Sequence, residues 1–470
     1  PGINPGSEEL NTSFDVTNVN YDENSQKLPF GYLIPPGIAR ERTLGATNQQ
    51  AFEVEQSLAM NVCDLKAGHQ VSIFKNAIFD LRFYEGLKMF VHAEAKPQDP
   101  SLKDGDMSLF IRFGSDFTHN YYEYEKPLTL SDENSGLTSI DEGYGREVWR
   151  IENDLKIDFE LLKQVKLERN AQGGSATISI PYPFDGFEDL VNGGFIRVKG
   201  NPNLGDVKSI QIGLRNNDTD KESHCAEVWI NELRAYGLKE QGGAAALARL
   251  DMQLADFGAV SLAGSYSSIG FGGLNESLTE RQLSQMTDMN VSTSLELGKF
   301  FPKDWGINIP FMAQYSKAVE TPKYDPFDRD VTLDERIDNL EPGETESEVL
   351  EVAKNITTIS AVTFTDVKKE RGTGSDAPLP WDIENFAVSY GKTKINQSNF
   401  IIKENSVTSH NGSLDYAYSN PGVFVKPLKW LPKNKYLKLF SEVNFNPVPN
   451  TFSFSTMMDR EFAVTEYRFE

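Results

Sequence analysis

Hydrophobic and polar positions alternate with period two along most of this chain, and the alternation comes in two styles. Between residues 51 and 237 the runs are short and parted by turn residues: "QVSIF", "LKMFVHAEA", "MSLFIRFG", "YYEYE", "ATISI", "GFIRVKG", "SIQIGL" and "AEVWINELRAYG". In "MSLFIRFG", Met107, Leu109, Ile111 and Phe113 share one face and Phe110 takes the other. In "SIQIGLRN", Ile210, Ile212 and Leu214 alternate with Ser209, Gln211 and Gly213. One inward face per strand, with turns between, predicts an antiparallel two-sheet sandwich.

Beyond "KEQGGAAALARL" at 239–250 the runs lengthen and their two faces diverge. In "ALARLDMQLAD", Ala246, Ala248, Leu250, Met252 and Leu254 oppose Leu247, Arg249, Asp251 and Gln253. "VSTSLELGKFF" sets Val291, Leu295 and Leu297 against Ser292, Ser294 and Glu296, and "GINIPFMAQYSK" sets Ile307, Ile309, Phe311 and Tyr315 against Asn308, Gln314 and Ser316. "ENFAVSYGKT" sets Phe386, Val388 and Tyr390 against Ala387, Ser389 and Gly391; "GSLDYAYS" sets Leu414, Tyr416 and Tyr418 against Asp415, Ala417 and Ser419. These runs are about nine to eleven residues long, enough for a tilted strand to cross a bilayer. Aromatics gather at their ends, and the long segments 317–355 (with "ETESEVLEVAKN" as a short helix) and 367–382 suit the loops of a large barrel.

The pattern therefore predicts an all-β chain. Residues 1–50 form an extended lead-in, 51–237 a jelly-roll-like β-sandwich, and 238–470 antiparallel transmembrane β-barrel strands with long loops, a partial barrel. Leu295, Phe311, Phe386, Val388, Tyr390 and Tyr416 are expected to face lipid. Asp251, Gln253, Ser292, Glu296, Gln314, Ser389 and Asp415 are expected to line a lumen.

Composition narrows the function classes. A formal net charge of −23 over 470 residues argues against nucleic acid as a partner. No run approaches the ~20 apolar residues of a membrane helix, a test that is blind to barrel strands. Two cysteines, Cys63 and Cys225, are too few for a disulfide scaffold and lack metal-type spacing. They are read as buried free thiols, with a single bridge between the first and last sandwich strands as the alternative. No phosphate loop, dinucleotide fingerprint, nucleophile elbow or zinc-protease motif occurs, so no enzyme, catalytic residue, cofactor or metal is expected.

Other candidates read as structure. His92 and Glu94 share a strand face, as a polar pair rather than metal ligands; His224 and Cys225, being adjacent, point to opposite faces. The loops "SLKDGD" (101–106) and "NNDTDKE" (216–222) carry the oxygen donors calcium uses, and are read as solvated turns. "YPFDGFED" (182–189) is read as a turn packing its aromatics, and "GFGG" (270–273) as a loop. The start at Pro1 and the strand-like "EFAVTEYRFE" at the end suggest an internal piece of a longer protein.

Several stretches together carry a family resemblance. "EVWINELRAYG" resembles the last strand of carbohydrate-binding jelly rolls. With "YEGLKMFVHAEA", "LFIRFGSDFTHNYYEYEKPL", "RVKGNPNLGDVKSIQIGLRN", "LADFGAVSLAG", "WDIENFAVSYG" and "VNFNPVPNTFSFSTMMDREF" it is similar to the SprA/Sov family, the giant outer-membrane translocons of type IX secretion and gliding motility in Bacteroidota. The resemblance implies a single-chain barrel of very many strands in the cell outer membrane, surrounded by lipid, with a folded domain inserted between strands. It implies export of folded cargo proteins through a wide lumen. The partners it implies are a smaller shuttle barrel of the PorV type and a periplasmic plug protein. It supplies no catalytic residues. The alternative is a secreted or surface glycan-binding jelly-roll protein with a second soluble β domain; a third reading is a structural adhesion protein.

Overall fold

In the computed structural model the two styles of alternation build two compact units, Pro1–Glu240 with Phe327–Thr332, and Gln241–Pro326 with Leu333–Glu470. The structure describes residues 11–40, 42–44, 50–52, 54–132, 143–171, 180–183, 194–340, 343–372, 379–419, 424–430, 440, 442–447 and 449–469. Most of "YPFDGFED" and "ATISI" lies outside these residues.

The first unit holds β1 (Ser13–Asn20), β2 (Arg42–Leu44), β3 (Gln50–Phe52), β4 (Gln56–Leu65), β5 (Gln70–Phe79), β6 (Tyr84–Ala95), β7 (Met107–Gly114), β8 (Tyr121–Pro127), β9 (Leu155–Asp158), β10 (Ile180–Pro183), β11 (Phe195–Lys199), β12 (Val207–Asn216) and β13 (His224–Leu238). Apart from the β2–β3 pair, these form two antiparallel sheets, β1-β4-β13-β6-β9 and β10-β11-β8-β7-β12-β5. Setting aside β1, β10 and β11, and counting from β4, one sheet runs first-eighth-third-sixth and the other fifth-fourth-seventh-second. That is the interleaved order of a jelly roll. Between the sheets, Met60, Val62, Val91 and Val228 meet Leu109, Ile111, Phe113 and Leu214.

Phe110 points out of that core, as its parity requires, yet it is fully buried. The guanidinium groups of Arg112 and Arg215 lie 5.6 and 5.0 Å from its ring centre. Gly213 makes room beside it, since a Cβ there would come within 2.5 Å of the ring. On the same layer Glu123 and Glu125, both buried, pair with Arg197 and Arg215, and Glu123 also with Arg112. Burial pushes the Glu123 carboxyl up, but the three arginines more than offset it and hold it below its ordinary range.

Helices α1 (Tyr21–Asn24), α2 (Tyr144–Val148) and α3 (Phe159–Ala171) were not legible as such in the alternation. The lead-in supplies edge strand β1, paired to β4, and then Phe30 and Tyr32, which pack with Trp149 and Trp229 in a second core. From α3, Leu161, Leu162 and Val165 enter the main core. The next residue, Lys166, is buried and its Nζ donates to Asp328 Oδ1 (2.8 Å), Pro202 O (2.9 Å) and Asp330 Oδ2 (3.2 Å).

Cys63 and Cys225 are joined in a disulfide, with Cα atoms 4.0 Å apart, which corrects the free-thiol reading. The reason is topological: in this strand order the first and last jelly-roll strands, β4 and β13, are neighbours, and both cysteines sit where their register shifts.

The second unit contains β14 (Ala245–Leu254), β15 (Gly258–Ser267), β16 (Ser284–Glu296), β17 (Ile307–Asn308), β18 (Pro310–Pro322), β19 (Asn355–Lys369), β20 (Phe386–Ser398), β21 (Ile402–Ser419) and β22 (Thr451–Tyr467), with α4 (Leu333–Asp338) and α5 (Glu346–Ala353) between β18 and β19. The strands form one antiparallel meander, β14-β15-β16-β18-β19-β20-β21-β22, with β17 beside β19. Among the described residues the sheet is open, not a closed barrel: β14 and β22 each pair on one side only. Several strands outgrow the expected length, β21 reaching 18 residues. The run read as one strand over 306–317 divides at Ile309, where Pro310 cannot give an N–H to the ladder. Helix α5 lies within the expected "ETESEVLEVAKN", capped by a reciprocal Thr345–Glu348 box.

Candidate membrane-facing wall

Partners directly across an antiparallel pair share a face, so the register of the meander fixes which side chains stand together. One row crosses all eight strands as Leu254, Gly258, Leu295, Phe311, Phe364, Tyr390, Gly412 and Met458. Two further rows on this face are Val388–Leu414 and Phe386–Tyr416–Phe454. Aromatic neighbours touch along it, with ring centres 5.2 Å apart for Phe311–Phe364 and 5.0 Å for Phe386–Tyr416.

The opposite face carries the row Asp251, Ser261, Ser292, Gln314, Ala361, Thr393, Ser409 and Glu461. Gln253 and Glu296 follow from it by even steps along their strands, and Ser389 (across from Ser413) and Asp415 (across from Ala387) belong to the same side. Its polar groups satisfy one another: Ser413 Oγ and Ser455 Oγ donate to Asp415 at 3.1 and 2.5 Å, and Arg249 Nε donates to Asp251 at 2.8 Å. The register thus brings Leu295, Phe311, Phe386, Val388, Tyr390 and Tyr416 onto one face. It brings Asp251, Gln253, Ser292, Glu296, Gln314, Ser389 and Asp415 onto the other.

Among the described residues no second layer of the same unit covers the apolar face, although Tyr416 Oη donates to Pro380 O of a loop at 2.8 Å; Val388 is 48% and Met458 74% exposed. The apolar character is interrupted on β20–β22: the row that begins with Leu250, Leu262, Val291 and Tyr315 passes through Ser360, Lys394 and Thr408 before ending on Phe462, and the row Lys392, His410 and Arg460 lies beside it. The polar face has one apolar row that pattern reading missed, Ile359–Ile395–Val407. It went unseen because β19 mixes Ile, Thr, Val and Ser on both faces and was not recognised as a strand.

Elsewhere, His92 and Glu94 are a satisfied polar pair. His92 Nδ1 lies 2.7 Å from Val148 O and Nε2 3.4 Å from Glu94 Oε2, with the ring against Trp229. Lys27 from the lead-in pairs with Glu94 and Glu227. The sandwich has a cleft of about 650 Å³ lined by Lys88, Lys126, Asp154, Lys156, Glu232 and Arg234 among others. Burial, assisted by Glu152 and opposed by Lys126, pushes the Asp154 carboxyl up to about 6.

Residues 4–337 match the family model SprA_N, described as a motility related/secretion protein. The chain belongs to this family. The resemblance is thereby shown for the quoted segments within 4–337, and the family is one of secretion components, not of enzymes. The match takes in the first unit and the second as far as α4. No curated protein matches the chain.

Proposed function

We propose that the second unit forms part of the wall of an outer-membrane β-barrel, within the protein-conducting channel of a type IX secretion translocon. One observation carries this reading: a sheet of eight long antiparallel strands whose register gathers most of the large apolar and aromatic residues on one exposed face and mostly small or polar residues on the other. A water-facing sheet hides its apolar face on a core; a continuous exposed apolar face marks lipid or a partner. In lipid every backbone group must also be paired, so β14 and β22 would be continued by further strands.

Two observations from the first unit accord with this reading. The Cys63–Cys225 bridge suits an oxidising compartment, as the periplasm and cell surface are. Family membership links the chain to secretion. On this reading Phe386, Val388, Tyr390, Leu295, Phe311 and Tyr416 meet lipid, while Asp251, Gln253, Ser292, Glu296, Gln314, Ser389 and Asp415 line the conduit. Folded cargo passes along a wall that offers little to grip, and a PorV-type shuttle barrel and a periplasmic plug attend the channel as the family resemblance implies.

Cysteine labelling tests the assignment. Val388→Cys and Ser389→Cys are introduced separately into the native protein in cells, where the Cys63 and Cys225 thiols are already bridged. A water-soluble maleimide given access to the lumen should label the Ser389→Cys variant and spare the Val388→Cys variant, while a lipid-soluble one should label Val388→Cys. Equal labelling of both variants by the water-soluble reagent would favour a soluble sheet and the glycan-binding alternative.

A further inference from the structure

The two acid-rich loops read as solvated turns are brought together by the jelly roll, over a buried histidine. Asn217 N–H donates to Asp106 O at 2.7 Å, tying loop 101–106 to loop 216–222. His224, at the start of β13, lies beneath them with 1% exposure. Its Nδ1 is 2.8 Å from Asp99 Oδ2.

Asp99 accepts on both oxygens. Oδ2 also takes the Cys225 N–H at 2.8 Å, and Oδ1 takes the Ser101 hydroxyl at 2.7 Å and its N–H at 3.3 Å. With Nδ1 held against Asp99 Oδ2, Nε2 is the ring nitrogen left to face the two loops.

Nε2 is inaccessible to solvent and has no hydrogen-bond partner among the described residues. It faces two carboxylates, with Asp218 Oδ2 at 3.5 Å and Asp106 Oδ2 at 3.9 Å. A buried imidazole nitrogen without a hydrogen-bond partner, set against two carboxylates, is an unfavourable arrangement unless something positive lies among them. The three donor atoms lie within 4.8 Å of one another. Ligands at Zn²⁺ distances of about 2.0–2.1 Å around a tetrahedral ion stand about 3.3 Å apart, so the observed spacings are near those of a metal cage and too long for direct hydrogen bonds. Both carboxylates are braced from outside: Asp106 Oδ2 accepts Lys103 N–H, Asp218 Oδ2 accepts Glu222 N–H, and Asp218 Oδ1 accepts Asp220 N–H.

We propose that His224 Nε2, Asp106 and Asp218 bind a first-row divalent cation of the Zn²⁺ class, with Asp99 as the carboxylate that orients the imidazole. The imidazole decides the class, because calcium and magnesium select oxygen ligands whereas zinc accepts nitrogen and oxygen together. A ligating histidine commonly has its other nitrogen held by a carboxylate, which fixes the ring and its tautomer. Three protein ligands leave a position for water. The ion would staple both loops to β13 beside the Cys63–Cys225 bridge, and this role is independent of what the second unit faces.

The test uses the purified 470-residue chain in detergent, stripped with EDTA, without thiol reductants. Zn²⁺ is titrated in competition with a chromophoric chelator, and Ca²⁺ is titrated separately. We expect one Zn²⁺ per chain at this site, lost in Asp106→Asn and in Asp218→Asn, and weakened about 10–100-fold in Asp99→Asn. The Asp106 side chain is partly exposed and that of Asp218 nearly buried, and an unchanged near-ultraviolet circular dichroism spectrum shows that both variants fold. Thermal melting gives a second readout: Zn²⁺ should raise the midpoint of the parent chain and leave that of Asp218→Asn unmoved. The proposal is overturned if the parent binds no stoichiometric Zn²⁺, if both loop variants bind it like the parent, or if Ca²⁺ alone binds.

Discussion

A charge placed at two adjacent positions of β20 should have very unequal consequences. Val388 stands on the apolar face, opposite Leu414 and Val367 and between Phe386 and Tyr390 along its own strand. An arginine on the lipid face near mid-bilayer costs about 2–4 kcal/mol, falling to about 0–1 near the interfaces. For Val388→Arg that corresponds to about a 30- to 900-fold shift against the inserted state. Ser389 points the other way, opposite Ser413, and its Oγ accepts the Asp366 N–H at 3.0 Å. Ser389→Arg therefore forfeits one exposed hydrogen bond, about 1 kcal/mol, and leaves its charge in water. Each variant is made in the native protein, and the heat-modifiable, protease-resistant fraction in outer membranes is measured. Val388→Arg should collapse that fraction while Ser389→Arg keeps most of it. Val362→Arg, whose cross-strand partner is Lys392, should fall between them. Equal assembly of Val388→Arg and Ser389→Arg, or a worse result for Ser389→Arg, would refute the two-solvent assignment.

Three further outcomes concern the first unit. Replacing Cys63 and Cys225 by alanine removes a cross-link spanning 162 residues, which a chain-entropy treatment values at about 5 kcal/mol; denaturant unfolding followed by tryptophan fluorescence should show a large drop in midpoint, and no drop would refute it. Tyr122 Oη (2.7 Å) and buried Lys166 (3.2 Å) donate to Asp330 Oδ2 and Leu204 N–H (2.7 Å) to Oδ1; Asp330→Asn removes the charge and one of these acceptor oxygens and sets an NH2 against a donor. It should cost about 3 kcal/mol, the low end for a broken buried pair because Asp328 still holds the ammonium; a change under about 1 kcal/mol in the same assay would count against the network. Asp154 is raised above its unfolded value, so its protonated form is favoured in the fold; that contribution is complete below about pH 4 and is lost as pH rises through about 6. Asp154→Asn should accordingly gain melting temperature relative to the parent between about pH 4 and pH 8, and a gap that does not widen would refute the cause assigned.

What was legible in the sequence was what period two controls. Met107, Leu109, Ile111 and Phe113 face the core because their parity puts them there, and the thirteen wall residues divide between two faces for the same reason. What escaped is set by partners far away in the chain. Phe110 is buried by arginines from its own sheet, a matter of tertiary packing that parity does not express. The bridge between Cys63 and Cys225 follows from β4 and β13 being neighbours, which pattern reading left as one option among others. The three-ligand cluster needs residues 106, 218 and 224 to converge, and each loop alone has only the look of a solvated turn. Strand β19 failed for a different reason, since both its faces are mixed and the alternation signal cancels.

The two units use the same period to opposite ends, and the contrast explains what the residues of the wall can do. In the sandwich parts of the outward faces are closed too: Glu123 is locked under three arginines and Glu125 under two of them, and Trp229 lies under the lead-in. Long side chains there form many fixed contacts, which specify one structure. The polar face of the meander is built differently, with Ser, Thr, Ala and Asp prominent among its residues, and its short polar side chains bond to each other, as around Asp415. Such a surface stays wetted and presents few long, rotamer-rich groups that would gain by closing on a passing protein. A conduit for folded cargo needs that property more than it needs any particular recognition residue. On the proposed reading its selectivity therefore lies with the partners and loops around the wall, and single substitutions such as Ser292→Ala or Gln314→Ser should leave secretion of cargo within about twofold of the parent, whereas long aromatic replacements at the same positions should slow it.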